Sequence, residues 1–67
     1  MIKVRINAEQ RELEAGLNVT ELLALVGVAQ AGVMVEKNGE VINRDRFDEE
    51  PVQEGDKLEL IRLIGGG

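Results

Sequence analysis

The sequence predicts a two-layer α+β domain in which a single helix packs against a single sheet. Among its 67 residues, one segment has the apolar spacing of an amphipathic helix, and five segments have the character of strands. Their order along the chain is β-β-α-β-β-β, and one helix with one apolar stripe can bury that stripe only against one sheet. We find no internal repeat and no linker, so we expect one domain over residues 1–67 with a flexible tail at residues 65–67.

The first two predicted strands form an antiparallel pair. Apolar and basic side chains alternate over residues 1–6, which is typical of a half-buried strand. Residues 7–10 are predicted to form a turn, and residues 11–15 to return with Leu13 facing inward. Glutamates flank Leu13 on both sides, so we expect this second strand to lie at an edge of the sheet, where charges discourage mispairing.

The predicted helix has clear signals at both ends. Asn18 can cap its N-terminus, and Glu21 lies three residues later, where the partner of a capping box belongs. Gly27 is placed to end the helix in a left-handed conformation. A helix of about eight or nine residues is therefore expected, with i, i+3, i+4, i+7 spacing of its apolar positions. These positions are Val19, Leu22, Leu23 and Val26.

A second hairpin is predicted in the middle of the chain. Residues 33–37 and 40–43 read as strands, and the Asn38-Gly39 dipeptide between them is typical of a two-residue hairpin turn. Phe47 is the only aromatic residue and lies among charged neighbours. We expect its ring to close one end of the core while those charges remain in water.

The last predicted strand, residues 57–64, is apolar on both faces. Leu58 and Leu60 are expected to face the core, which leaves Ile61 and Leu63 on the open face of the sheet. In the matching register of the third strand, Met34 joins that open face. A contiguous apolar patch of this kind indicates a partner-binding site, whereas scattered aliphatic side chains are ordinary surface. The full set of candidate partner-binding residues is Met34, Ile61, Leu63, Ile64 and Gly65.

Composition excludes several functional classes. The net charge of −5, from 13 acidic and 8 basic residues, argues against nucleic acid or an anionic membrane as the partner. The chain contains no cysteine and no histidine, so it lacks the usual metal ligands, nucleophiles and bases, and no bound cofactor or metal is expected. No apolar run is long enough for a membrane span, and nothing resembles a signal peptide. We therefore expect a cytoplasmic protein without catalytic side chains of its own.

The three final glycines are the most unusual feature of the chain. Gly65, Gly66 and Gly67 follow directly from the last predicted strand, and without Cβ atoms they can enter a slot that is too narrow for other residues. The C-terminal carboxylate of Gly67 is then the candidate working group, with a flexible end or a cloning remnant as the alternative. Because a carboxylate is a poor electrophile at neutral pH, another protein must activate it, for example with ATP.

Several segments resemble a known family. These are Asn18-Val19-Thr20-Glu21-Leu22-Leu23, Asn38-Gly39-Glu40-Val41-Ile42, and Gly55-Asp56-Lys57-Leu58-Glu59-Leu60 leading into Ile64-Gly65-Gly66-Gly67. Together they cover most of the chain, which is similar to the small sulfur-carrier proteins of thiamine biosynthesis. That resemblance implies the β-grasp fold of ubiquitin-like proteins, with the helix on a single mixed sheet. It also implies that Gly67, within the terminal pair Gly66-Gly67, is the residue that is modified.

The resemblance implies two protein partners. An E1-like protein would use ATP to adenylate Gly67 and would then replace AMP with sulfur, which gives a thiocarboxylate. Thiazole synthase would take that sulfur for the thiazole ring. Alternatives within the fold are the small subunit of molybdopterin synthase and sulfur carriers for tRNA thiolation or cysteine synthesis. An alternative of another class is a ubiquitin-like or TGS-type binding module, which needs no free terminal carboxylate.

Overall fold

In the computed structural model, residues 1–63 form one helix on one mixed sheet, and these are the residues described below. The sheet order is β2-β1-β5-β3-β4, with β1 and β5 parallel and the other neighbours antiparallel. This arrangement confirms the predicted α+β class and the order of the elements. The elements are β1 (Ile2–Ile6), β2 (Glu9–Leu13), α1 (Val19–Val26), β3 (Val33–Lys37), β4 (Glu40–Ile42) and β5 (Lys57–Arg62).

The first hairpin differs from the prediction. Its turn is only Asn7-Ala8, and β2 begins at Glu9, so the predicted turn at residues 7–10 was too long and the predicted strand at 11–15 began two residues late. Asn7 and Ala8 have φ angles of 51° and 70°, the left-handed pair whose twist matches a two-residue hairpin. Alanine seldom adopts that conformation, because its Cβ approaches the next carbonyl, so the sequence gives little sign of the turn. As predicted, β2 lies at an edge of the sheet.

Ala8→Gly is expected to stabilise the protein. The left-handed conformation costs an L-residue roughly 1–2 kcal/mol, and glycine avoids that cost. Glycine also gives the unfolded chain more conformational freedom, which offsets about 0.4–1 kcal/mol of the gain. We therefore expect the free energy of unfolding to rise by about 0.5–1 kcal/mol in a urea titration. The matched control is Ala29→Gly, at φ −75°, where the same change should lower stability.

Both ends of α1 agree with the prediction. The Asn18 Oδ1 accepts a hydrogen bond of 2.8 Å from the Glu21 N–H, and the Glu21 Oε1 accepts one of 3.0 Å from the Asn18 N–H. Gly27 ends the helix at φ 75°. Three residues of the apolar stripe are buried, and Val26 packs partly buried against the core. Local sequence signals thus set where this helix begins and ends.

The core lies between α1 and the inner face of the sheet. Phe47 is only 2% exposed and belongs to the core, while most of its charged neighbours are exposed, as expected. Leu58 is buried as predicted, but Leu60 is only half-buried. The reason is that β1 stops opposite Leu58, so the strand beyond it has a neighbour on one side only. The buried apolar residues are Val4, Ile6, Leu13, Val19, Leu22, Leu23, Val33, Val35, Ile42, Phe47, Val52 and Leu58.

A polar cluster fixes the beginning of β5. Asp56 is 7% exposed, and its carboxylate accepts hydrogen bonds from the Asn38 Nδ2 at 3.0 Å and the Gln53 N–H at 2.8 Å. The Lys37 Nζ lies 3.9 Å from the same carboxylate and 2.7 Å from the Glu50 Oε2. These bonds satisfy a buried carboxylate, and they join the Asn38-Gly39 turn to the segment that precedes β5.

Candidate functional site

The C-terminal half of β5 places apolar side chains on the open face of the sheet. Because side chains alternate along a strand, burial of Leu58 on the inner face puts Ile61 on the outer face, and Leu63 continues the same alternation. Ile61 is 39% exposed and Leu63 is 53% exposed. The outward orientation that was predicted for these two residues is what the structure shows.

The register between β3 and β5 brings a third apolar side chain to this face. Met34 is the direct cross-strand partner of Ile61 and is half-buried. Side chains at directly opposite positions of an antiparallel pair lie within contact range. The Leu63 N–H donates a hydrogen bond of 3.0 Å to the Gly32 carbonyl, which keeps Leu63 beside the start of β3. We call Met34, Ile61 and Leu63 the apolar patch.

The next row of the outer face is acidic. Glu36 is the cross-strand partner of Glu59, and like charges in opposite positions disfavour the pairing. Val41 continues this row on β4 and is 54% exposed. Val41 was not among the predicted site residues, although burial of the neighbouring Ile42 places it on the outer face by alternation. The open face therefore combines an apolar patch with a negatively charged row.

The remaining predicted site residues lie outside the described residues. Leu63 is the last residue described, so the structure does not test Ile64 and Gly65 as partner-binding residues or Gly66 and Gly67 as the reactive pair. Three residues separate Leu63 from Gly67, so the part of the apolar patch that β5 contributes lies just before the glycine tail in sequence.

Residues 1–63 offer no metal site and no membrane-spanning helix. This part of the chain has no group of three or more aspartate, glutamate, histidine or cysteine side chains arranged to hold a metal ion. Over the same residues, no helix is sufficiently long and apolar to cross a membrane. The feature that stands out is thus the outer face of β3 and β5.

Comparison with known proteins identifies the family. Residues 4–67 match the ThiS family. The chain belongs to the ThiS family. A curated ThiS-family relative, the sulfur carrier protein ThiS of Escherichia coli, is 30% identical over 98% of this chain and 100% of its own length. The thiazole synthases of Paramagnetospirillum magneticum and Magnetococcus marinus are 39% and 36% identical, and the chain spans 20% of the length of each.

Solved structures of the ThiS family share this architecture. The crystal structure of the thiamine biosynthesis protein ThiS from Geobacter metallireducens superposes with a TM-score of 0.84 at 42% identity. The match covers 98% of this chain and 100% of that one. Together with one helix on a mixed five-stranded sheet, this likeness confirms the β-grasp fold that the resemblance implied.

Proposed function

We propose that this ThiS-family chain is a sulfur carrier of thiamine biosynthesis and that it carries sulfur on the carboxyl group of Gly67. The family match carries the proposal, because it extends through residues 4–67 and so includes the glycine tail. The coverage of the Escherichia coli sulfur carrier over its full length supports the same role. Without cysteine, the chain has no thiol that could hold the sulfur instead.

The chemistry requires activation by a second protein. A carboxylate oxygen of Gly67 attacks the α-phosphorus of ATP, and pyrophosphate leaves, which produces an acyl-adenylate. Hydrosulfide, or a sulfur donor equivalent to it, then attacks the acyl carbon, AMP leaves and one proton is released. The product is a thiocarboxylate. The chain has no phosphate-binding motif, so we assign ATP to an E1-like partner and propose no bound cofactor for the chain itself.

We propose thiazole synthase as the protein that receives the sulfur. Two proteins named thiazole synthase contain a region that is 39% and 36% identical to nearly all of this chain. A region shared in this way supports a functional link between the carrier and that enzyme. In this scheme the chain is a protein co-substrate and not a catalyst. We place it in the cytoplasm, where ATP is supplied to the activating protein.

The apolar patch is the proposed docking surface for these partners. Met34 and Ile61 form one cross-strand pair, and Leu63 extends the patch toward the tail. A partner that covers the patch is thereby positioned next to the residues that lead to Gly67. We include Ile64 and Gly65 in this surface as the connection between the patch and the reactive pair Gly66-Gly67.

Intact-mass spectrometry tests the proposed function. After incubation with an E1-like protein from the same source, ATP and sulfide, we expect a gain of about 16 Da, as sulfur replaces one oxygen. Fragmentation should place the gain on Gly67. Omission of ATP is the matched control and should leave the mass unchanged. An unchanged mass in the complete mixture, with each E1-like protein of that source, would contradict the proposal.

The molybdopterin synthase small subunit and the carriers for tRNA thiolation or cysteine synthesis would give the same mass gain. The thiamine assignment rests on the ThiS-family match and the thiazole synthase relatives. Addition of thiazole synthase and its small-molecule substrates to the thiocarboxylated chain separates these roles. We expect the mass to return to its original value in that mixture, and persistence of the thiocarboxylate would favour another recipient.

A further inference from the structure

Two asparagine side chains each accept a hydrogen bond from a backbone N–H of β5. Asn7 and Asn38 each occupy the first position of a two-residue turn, with φ angles of 51° and 53°. The Asn38 Oδ1 accepts a hydrogen bond of 2.9 Å from the Lys57 N–H, at the start of β5. The Asn7 Oδ1 accepts one of 2.8 Å from the Leu60 N–H, and the Asn7 Nδ2 donates one of 3.3 Å to the Leu60 carbonyl. The two turns are therefore hydrogen-bonded to β5 at different residues, Asn38 at Lys57 and Asn7 at Leu60.

The Asn7 side chain takes the place of backbone pairing where β1 ends beside β5. β1 pairs with β5 only as far as the Ile6–Leu58 rung, and the Asn7 N–H then donates a hydrogen bond of 2.9 Å to the Leu58 carbonyl. Beyond that point the chain turns away into β2. A carboxamide carries one carbonyl acceptor and an N–H donor, as a peptide group does, so it can bind both backbone groups of Leu60. The side chain thus extends the pairing by one residue.

Beyond Leu60, β5 has a strand neighbour on one side only. Leu63 bonds with Gly32 on the β3 side. Backbone groups of alternate residues point to opposite sides of a strand, so those of Arg62 point to the side that β1 has left. Within residues 1–63, the bonds from the Asn7 side chain are therefore the last hydrogen bonds to β5 on that side before the apolar patch. Its hydrogen bonds limit how far the end of β5 can separate from the domain.

We propose that Asn7 is a positioning residue for activation of the chain, because its carboxamide keeps the end of β5 in the ordered form to which the E1-like partner binds. This inference rests on the proposed sulfur-carrier function. Loss of the two side-chain hydrogen bonds lowers the fraction of molecules with an ordered end. The apparent affinity for the partner falls by the same factor. The KM for the chain rises while kcat is unchanged, since a bound chain is ordered in either case.

Asn38→Gly is a matched control for Asn7→Gly. Glycine adopts positive φ without strain, so both variants keep their turns and lose only side-chain contacts. Asn7→Gly should raise the KM for thiocarboxylation about fivefold, from the loss of two exposed hydrogen bonds, with kcat unchanged. Amide hydrogen exchange should accelerate at Leu60 in this variant. In Asn38→Gly, exchange should instead accelerate at Lys57, with KM at the wild-type value.

Asn7→Asp provides a second, graded test that does not rely on glycine. Aspartate tolerates positive φ and keeps an acceptor for the Leu60 N–H, but it loses the donor to the Leu60 carbonyl. An intermediate rise in KM is expected.

Equal KM values for the Asn7 and Asn38 variants, or a fall in kcat with KM unchanged, would overturn the positioning role. If the wild-type chain gains no mass, the proposed function itself fails and the inference fails with it. If the wild-type chain gains the mass and the Asn7 variants have the wild-type KM, the proposed function stands and only the role of Asn7 is refuted.

Discussion

A chain that lacks Gly67 is expected to fold normally and to gain no sulfur. The deletion moves the carboxylate back along the chain by about 3.3–3.6 Å, the length of one extended residue. A displacement of only 1 Å from the reacting geometry can cost about 100-fold in rate, so loss below detection is expected. The buried core ends at Leu58, and the deletion therefore removes none of it. Intact mass after incubation with partner, ATP and sulfide measures the loss, and thermal unfolding checks the fold.

Two further variants test the position of the carboxylate and the space around the last residue. An added glycine after Gly67 displaces the carboxylate outward by the same distance, and it should also abolish the mass gain. Gly67→Ala keeps the length but adds a Cβ, which tests how narrow the receiving site is. Conversion of the shortened chain at the wild-type rate would contradict a reactive Gly67. A binding module, by contrast, would retain its full activity through partner binding alone.

Local signals explain which elements could be predicted from the sequence. The capping box of Asn18 and Glu21 spans four residues, and the Asn38-Gly39 turn spans two. Such signals act between residues that are close in sequence, so these elements can be predicted without knowledge of the tertiary structure. The Asn7-Ala8 turn also has positive φ at both residues, but its second position is alanine. The glycine that usually identifies such a turn in a sequence is therefore missing.

The contacts that could not be predicted depend on the order of the strands. Asn7 and Leu60 are 53 positions apart and meet only because β1 and β5 are neighbours in the sheet. The bond between Asn38 and Asp56 likewise requires β3 beside β5. The apolar patch was predicted because alternation alone assigns Ile61 to the outer face, and the register then supplied its contact with Met34.

Ile61→Asp is expected to weaken partner docking while it leaves the fold intact. Ile61 is exposed at the centre of the apolar patch, and an aspartate there adds a third negative charge beside the Glu36–Glu59 row. Central apolar contacts of interfaces are commonly worth about 2 kcal/mol or more, so kcat/KM for thiocarboxylation should fall by at least about tenfold. Stability should change by at most about 1 kcal/mol, the range of strand propensities at exposed positions.

Leu58→Ala, on the same strand, is expected to lower stability and leave partner docking unchanged. Leu58 is 1% exposed, and truncation of a buried leucine costs about 2–5 kcal/mol of unfolding free energy, while the folded molecules keep their docking surface. Leu25→Asp is the matched control for charge, since Leu25 is 62% exposed on α1, away from the outer face of the sheet. If Leu25→Asp lowered kcat/KM as much as Ile61→Asp, general charge repulsion and not the apolar patch would govern docking. If Ile61→Asp destabilised the fold more than Leu58→Ala, the facing of β5 would be shifted by one residue, because a one-residue slip exchanges the two faces of a strand.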